Sequence, residues 1–180
     1  MEVKAILFVT LLIIVSGCSQ SNASDPEFFG ANFSLSSCVQ NAGDANALDD
    51  FMTNGMKIKA PLPSELSKHF LNGSDGKAWS FSSRDGNYAV AYRNDGVCTV
   101  FIKETDVANY ITHINNSINR ISEKSGWKFS TKSIPMFAGD NELKTYQFTV
   151  ELPEKEVSVV MSAVTKVIGS YQVAFSTSLL

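Results

Sequence analysis

Apolar and polar positions change their period several times along the chain, and each change marks an element. Residues 5–15 form an apolar run, interrupted only by Thr10, behind Lys4. A membrane-spanning helix needs about 20 apolar residues, so this run is too short to span and has the length of the core of an export signal. The stretch up to residue 33 opens with small polar residues, Ser19-Gln20-Ser21-Asn22-Ala23-Ser24-Asp25-Pro26, and has little to bury. It reads as a flexible tether, with Phe28, Phe29 and Phe33 as the first residues able to dock on a folded body. Leu35, Cys38, Ala42, Ala45, Leu48 and Met52 then recur at three- and four-residue steps. That spacing predicts a helix over 35–54, capped by Ser34 and stopped by Gly55, although Gly43 weakens it. Pro61 and Pro63 interrupt regular structure, and a short helical turn is expected over 64–70.

Three Asp-Gly pairs follow at Asp75-Gly76, Asp85-Gly86 and Asp95-Gly96. Asp-Gly suits the positive φ angles of tight hairpin turns, so the segments 77–83, 88–93 and 97–103 read as a three-stranded antiparallel meander. Trp79 and Phe81, and then Tyr88, Val90 and Tyr92, alternate along the first two. Thr105 or Asp106 caps a second helix with the apolar stripe Val107, Tyr110, Ile111, Ile114, Ile118 and Ile121, closed by Gly126; its opposite face is polar. Period-2 segments over 127–134 and 143–152, a β-branched segment over 157–167 and the segment 171–177 read as four more strands, with a helix over 157–168 as the alternative for the third. The order α–βββ–α–ββββ predicts an α+β domain with an antiparallel β-sheet and helices packed on one face. One sheet in two halves and two small sheets around the second helix fit this order equally.

Composition narrows the class. The chain has 180 residues and a formal net charge of −3, and removing residues 1–17 leaves enough chain for one domain with a core. No basic stripe is present, so no nucleic acid is expected as a partner. Of three cysteines, Cys38 and Cys98 fall in the domain. An exported setting favours a disulfide between them, closing a loop of about 60 residues, which stabilises by about 4 kcal/mol in the chain-entropy model.

The third cysteine carries a resemblance. Val15-Ser16-Gly17-Cys18 resembles the lipobox of bacterial lipoproteins, with an aliphatic residue three before the cysteine and small residues between. The resemblance implies cleavage before Cys18 and lipidation of that thiol, hence attachment to the membrane through lipid on Cys18. It divides the chain into signal peptide (1–17), lipidated cysteine and tether (18–33) and domain (34–180). Ser19, by analogy with enterobacterial lipoproteins, implies the outer membrane. The segments Phe70-Leu71-Asn72-Gly73, Gly76-Lys77-Ala78-Trp79 and Asp95-Gly96-Val97-Cys98-Thr99-Val100-Phe101 resemble uncharacterised lipoproteins of bacteria and mobile elements, which implies no particular activity.

His69 and His113 lack metal-spaced partners, and no metal or other cofactor is expected. Asp49 and Asp50 point about 100° apart on a helix and make no acid–base dyad. Asn72-Gly73-Ser74-Asp75-Gly76 has calcium-loop residues without the spacing of an EF-hand. The aromatic residues Trp79, Tyr88 and Tyr92 are a candidate binding surface, with cross-strand packing as the alternative. These features predict a non-enzymatic envelope lipoprotein that binds a protein partner at the membrane surface, as an accessory of an envelope machine or as an exclusion or immunity factor. The competing expectation is an envelope hydrolase with a site assembled from distant residues.

Overall fold

The computed structural model of the chain describes residues 25–138, 141–168 and 171–180; Cys18 and the export segment lie outside the described residues. The first element is a helix, α1 (Pro26–Ser34), at the end of what the sequence suggested was tether. Its start follows from two residues. Asp25 Oδ1 accepts a hydrogen bond from the Phe28 amide at 2.8 Å, and Pro26 occupies the first helical position, where its missing N–H costs nothing. Ala31 and Phe33 on this helix are buried. The folded domain therefore begins near Asp25, not at Ser34.

The helix runs on as one wide π turn (Leu35–Val39). Here Ser34, Ser36 and Ser37 each donate to the carbonyl four residues back, on Gly30, Asn32 and Phe33, a pattern that loosens and bends helices. Gly43 then takes a left-handed conformation, φ 78°, and Asp44 caps a new helix, α2 (Ala45–Asp50), which continues as a second wide turn (Phe51–Gly55). The helix expected over 35–54 is thus two segments. The break falls at the glycine that argued against it.

A short helix, α3 (Ser64–Leu71), ends on left-handed Asn72. Three strands follow: β1 (Gly76–Ser83), β2 (Gly86–Arg93) and β3 (Cys98–Ile102). They form the expected meander, with Trp79 opposite Val90 and Val90 opposite Val100. The Asp-Gly pairs do different work. Gly96 takes the left-handed position of the β2–β3 turn (φ 87°). Gly76 instead lies so close to β2 that an added Cβ would sit 2.2 Å from the Tyr92 carbonyl oxygen.

Asp106 caps α4 (Val107–Ser125), its Oδ1 accepting from the Ala108 and Asn109 amides, and Gly126 ends it at φ 70°. Four strands complete the chain: β4 (Lys128–Ala138), β5 (Asn141–Glu151), β6 (Glu156–Ile168) and β7 (Tyr171–Leu179). Strand β7 returns beside β3, Phe175 opposite Val100. All described strands therefore join one antiparallel sheet in the order β1-β2-β3-β7-β6-β5-β4, which gives the α+β architecture with the predicted element order.

The main core lies on the sheet face that carries α1, α4 and both wide turns. The short α3 packs on the opposite face, where Leu71 meets Ala78 and Ala91. Cys38 in the first wide turn is disulfide-bonded to Cys98 at the start of β3, with Cα atoms 5.4 Å apart. The register gathers the β1–β2 turn, the last residues of β3 and the ends of the β4–β5 and β6–β7 hairpins at one end of the sheet. Helix α4 starts at that end, and so does α1: Glu27 Oε1 accepts from the Asp106 amide at 2.9 Å and from Thr105 Oγ1 at 3.2 Å.

Candidate functional site

A groove runs along the side of α4 away from α1. Its helical wall is the apolar stripe read from the sequence: Ile114 and Ile118 are buried and Ile111 is half-buried. Its floor is the inner face of the outer strands, with Phe129 from β4, Tyr146 and Phe148 from β5 and Met161 from β6. It exists because α1, α2 and the wide turns cover the β1–β3 half of the sheet, while only one edge of α4 overhangs β4 to β6. Two adjoining cavities make up the groove, of about 670 Å³ at the start of α4 and about 420 Å³ further along, and they share Ile111 and Tyr146. These are the sizes at which pockets hold small ligands.

Polar groups sit at its rim. Thr105, Asp106, Lys144 and Gln172 line the end near the start of α4. Asp106 is engaged as the helix cap, and Gln172 Oε1 accepts from the Thr105 amide at 3.0 Å. Asn115 and Asn119 line the open side further along. The surface left open is mainly apolar at the start of α4 and mixed polar and apolar further along, so the arrangement supports the burial of apolar matter beside polar groups. Among the described residues, no group of three or more His, Cys, Asp or Glu side chains could hold a metal ion, and no helix is long and apolar enough to cross a membrane.

A second, shallower groove lies on the opposite sheet face beside α3, of about 460 Å³, lined by Leu62, Leu66, His69, Phe70, Phe101 and Tyr171. Phe70, Phe101 and Tyr171 contact one another at 5.5–5.6 Å between ring centroids. Packing of this kind pushes the Tyr171 phenol pKa above its usual range by burial.

The aromatic surface proposed from the sequence is not a surface. Trp79, Tyr88 and Tyr92 are 1%, 2% and 6% exposed. They share one face, as their alternation implied, but that face points into the core, where Phe29 and Phe33 of α1 meet Tyr88 edge-to-face at 5.2 and 5.8 Å. Period-2 alternation tells which residues share a face and not what covers it. The missed signal was Asp25-Pro26 followed by Phe29 and Phe33 at a four-residue step, a helix start with an apolar side.

The histidines are apart. His69 lines the second groove. His113 Nε2 is 3.2 Å from Asp25 Oδ2, and its ring meets Phe28 edge-on at 5.7 Å. Asp49 pairs with Lys77 at 2.8 Å, while Asp50 accepts from Asn54. The 72–76 segment is the turn that leaves α3, with the Ser74 amide bonded to the Leu71 carbonyl. The groove beside α4 was not foreseen. Its wall and floor residues were each placed correctly on their elements, but nothing local says that α4 lies over β5 and β6. Compared with protein-family models, with curated proteins and with solved structures, the chain matches none.

Proposed function

We propose that this chain is a bacterial cell-envelope lipoprotein, held by lipid on Cys18, that works as a non-enzymatic binding or accessory module and uses the groove beside α4 to engage another envelope component. The anchor rests on the lipobox resemblance, and the outer membrane, with the domain at the periplasmic or outer surface, rests on Ser19. The observation that carries the binding reading is the groove itself, a cleft with apolar side chains in its wall and floor and polar groups at its rim, whose mouth carboxylate, Asp106, is already engaged as a cap. Tethering supports the same reading. Six residues separate Cys18 from Asp25; even fully extended, the link spans at most about 25 Å. The end of the domain where α1 and α4 begin is therefore kept close to the bilayer, and confinement there raises the effective concentration of a binder toward its neighbours.

Two measurements test this. Metabolic labelling with a fatty acid should mark the wild-type protein and fail with Cys18→Ser; label on the variant removes the anchor. A photo-crosslinking residue at Asn119, on the groove rim, should form adducts in intact cells, whereas one at Gln147 on the opposite sheet face should not. Equal adducts at both positions would remove the groove from the reading.

A further inference from the structure

We infer that the occupant of the groove beside α4 is the hydrocarbon chain of a membrane lipid, which enters from the end where α4 begins. The inference rests on the anchored-lipoprotein reading for the source of the lipid, and on the fold for the site. Three observations carry it.

The first is shape. The two cavities meet at Ile111 and Tyr146 and together follow α4 from Asp106 to Asn119. At 1.5 Å rise per residue this is a track of about 20 Å, long and narrow rather than round.

The second is chemistry. The floor is formed by Phe129 of the edge strand β4 and, for the most part, by β5 and β6, which are interior strands with a partner on each side. Their backbone ladders are already engaged. An extended peptide laid across β5 and β6 would bring N–H and C=O groups that these two strands cannot pair, a costly burial. A hydrocarbon chain brings no such groups, and it matches the Ile114, Ile118 and Phe148 lining.

The third is position. The larger cavity lies at the end of the sheet where α1 starts, and only six residues separate Cys18 from Asp25, the cap of α1. Once the protein is anchored, the mouth is on the bilayer side of the domain. Thr105, Lys144 and Gln172 line that mouth, so the polar end of a lipid would meet polar groups while its chain lay along the helix.

The test uses the chain from Ser19 onward, which has no lipid of its own and keeps every described element, since the first cap is Asp25. The probe is a fluorescent polyene fatty acid, read by energy transfer from Trp127, whose ring lies 6.4 Å from that of Phe129 in the groove floor. Saturable binding of one probe per domain is expected. Ile111→Glu and Tyr146→Glu, both at partly exposed positions, should each weaken it at least tenfold. Leu66→Glu in the second groove should leave it unchanged. Circular dichroism identifies any variant that has lost its fold, and the other groove variant then decides. Native mass spectrometry of the protein taken from cells should show a co-purified phospholipid.

Absent or non-saturable binding overturns the inference, as does binding untouched by both groove variants. A protein adduct at Asn119 in place of lipid overturns it and leaves the binding-module reading standing. Loss of fatty-acid label at Cys18 removes the anchor reading and does not alter the probe measurement.

Discussion

Tyr110 links the two long helices through one atom. It is fully buried, and its hydroxyl lies 2.8 Å from Ser34 Oγ on α1. Burial pushes its phenol pKa up, as it does for Tyr88, which the Asp85 and Glu27 carboxylates raise further. The folded state therefore holds both phenols protonated where an unfolded chain would release the protons. Their contribution to stability is fully present below pH 10.0, the ordinary tyrosine value, and is lost as pH climbs toward the raised folded values. Denaturant midpoints should thus fall steeply above pH 10, in step with the phenolate absorbance. Tyr110→Phe should cost only about 0.5–1.5 kcal/mol at neutral pH, because Ser34 keeps its bond to the Gly30 carbonyl, and it should flatten the alkaline fall. An unchanged alkaline midpoint in both Tyr110→Phe and Tyr88→Phe would contradict this account. The disulfide acts at the same scale. Replacing Cys38 or Cys98 by alanine should cost roughly 2–5 kcal/mol, and replacing both little more than one, since the two are a single linkage. Additive costs in denaturant melts would mean that the linkage is not what the two sites contribute.

Among elements, the break between α1 and α2 shows how local rules compete. The apolar stripe from Leu35 to Met52 keeps helical spacing across the break, yet the chain turns at Gly43 because Asp44 caps the next helix and glycine tolerates the left-handed angle. Gly43→Ala tests this: the positive φ alone costs about 1 kcal/mol, and a Cβ there would meet Leu179 Cδ1 at 2.4 Å. Gly126→Ala at the end of α4 has the same angle problem with nothing within 4 Å. Thermal melts should place Gly43→Ala at or below Gly126→Ala. Helix α4 itself was legible at both ends, to within one residue at its start, where Thr105 and Asp106 both offered a cap, and to the residue at Gly126. The strands were legible within a few residues because each has a period-2 face and a turn signal beside it. The start of α1 was equally written in Asp25-Pro26, but the polar run before it obscured the signal.

For the molecule as a whole, the position of α1 decides where the domain begins. Phe33 meets Phe81 edge-to-face at 5.2 Å and Tyr88 at 5.8 Å, over the strands β1 and β2. A chain starting at Ser19 should fold in an oxidising compartment and unfold cooperatively. One starting at Ser34 loses the Asp25 cap together with Phe29, Ala31 and Phe33, uncovers Tyr88 and Phe81, and should be insoluble or lack a cooperative transition. Equal stability of the two chains would return α1 to the tether. The strands, α4, the β1–β3 meander and the residues sharing each face were determined by the sequence alone, because turn chemistry, capping and period act over a few residues. The pairing of β7 with β3, the covering of Trp79, Tyr88 and Tyr92 by α1, and the groove between α4 and β4 to β6 were decided only in the tertiary structure. Each depends on which apolar face meets which other face across many residues of chain, and local periodicity carries no information about that choice.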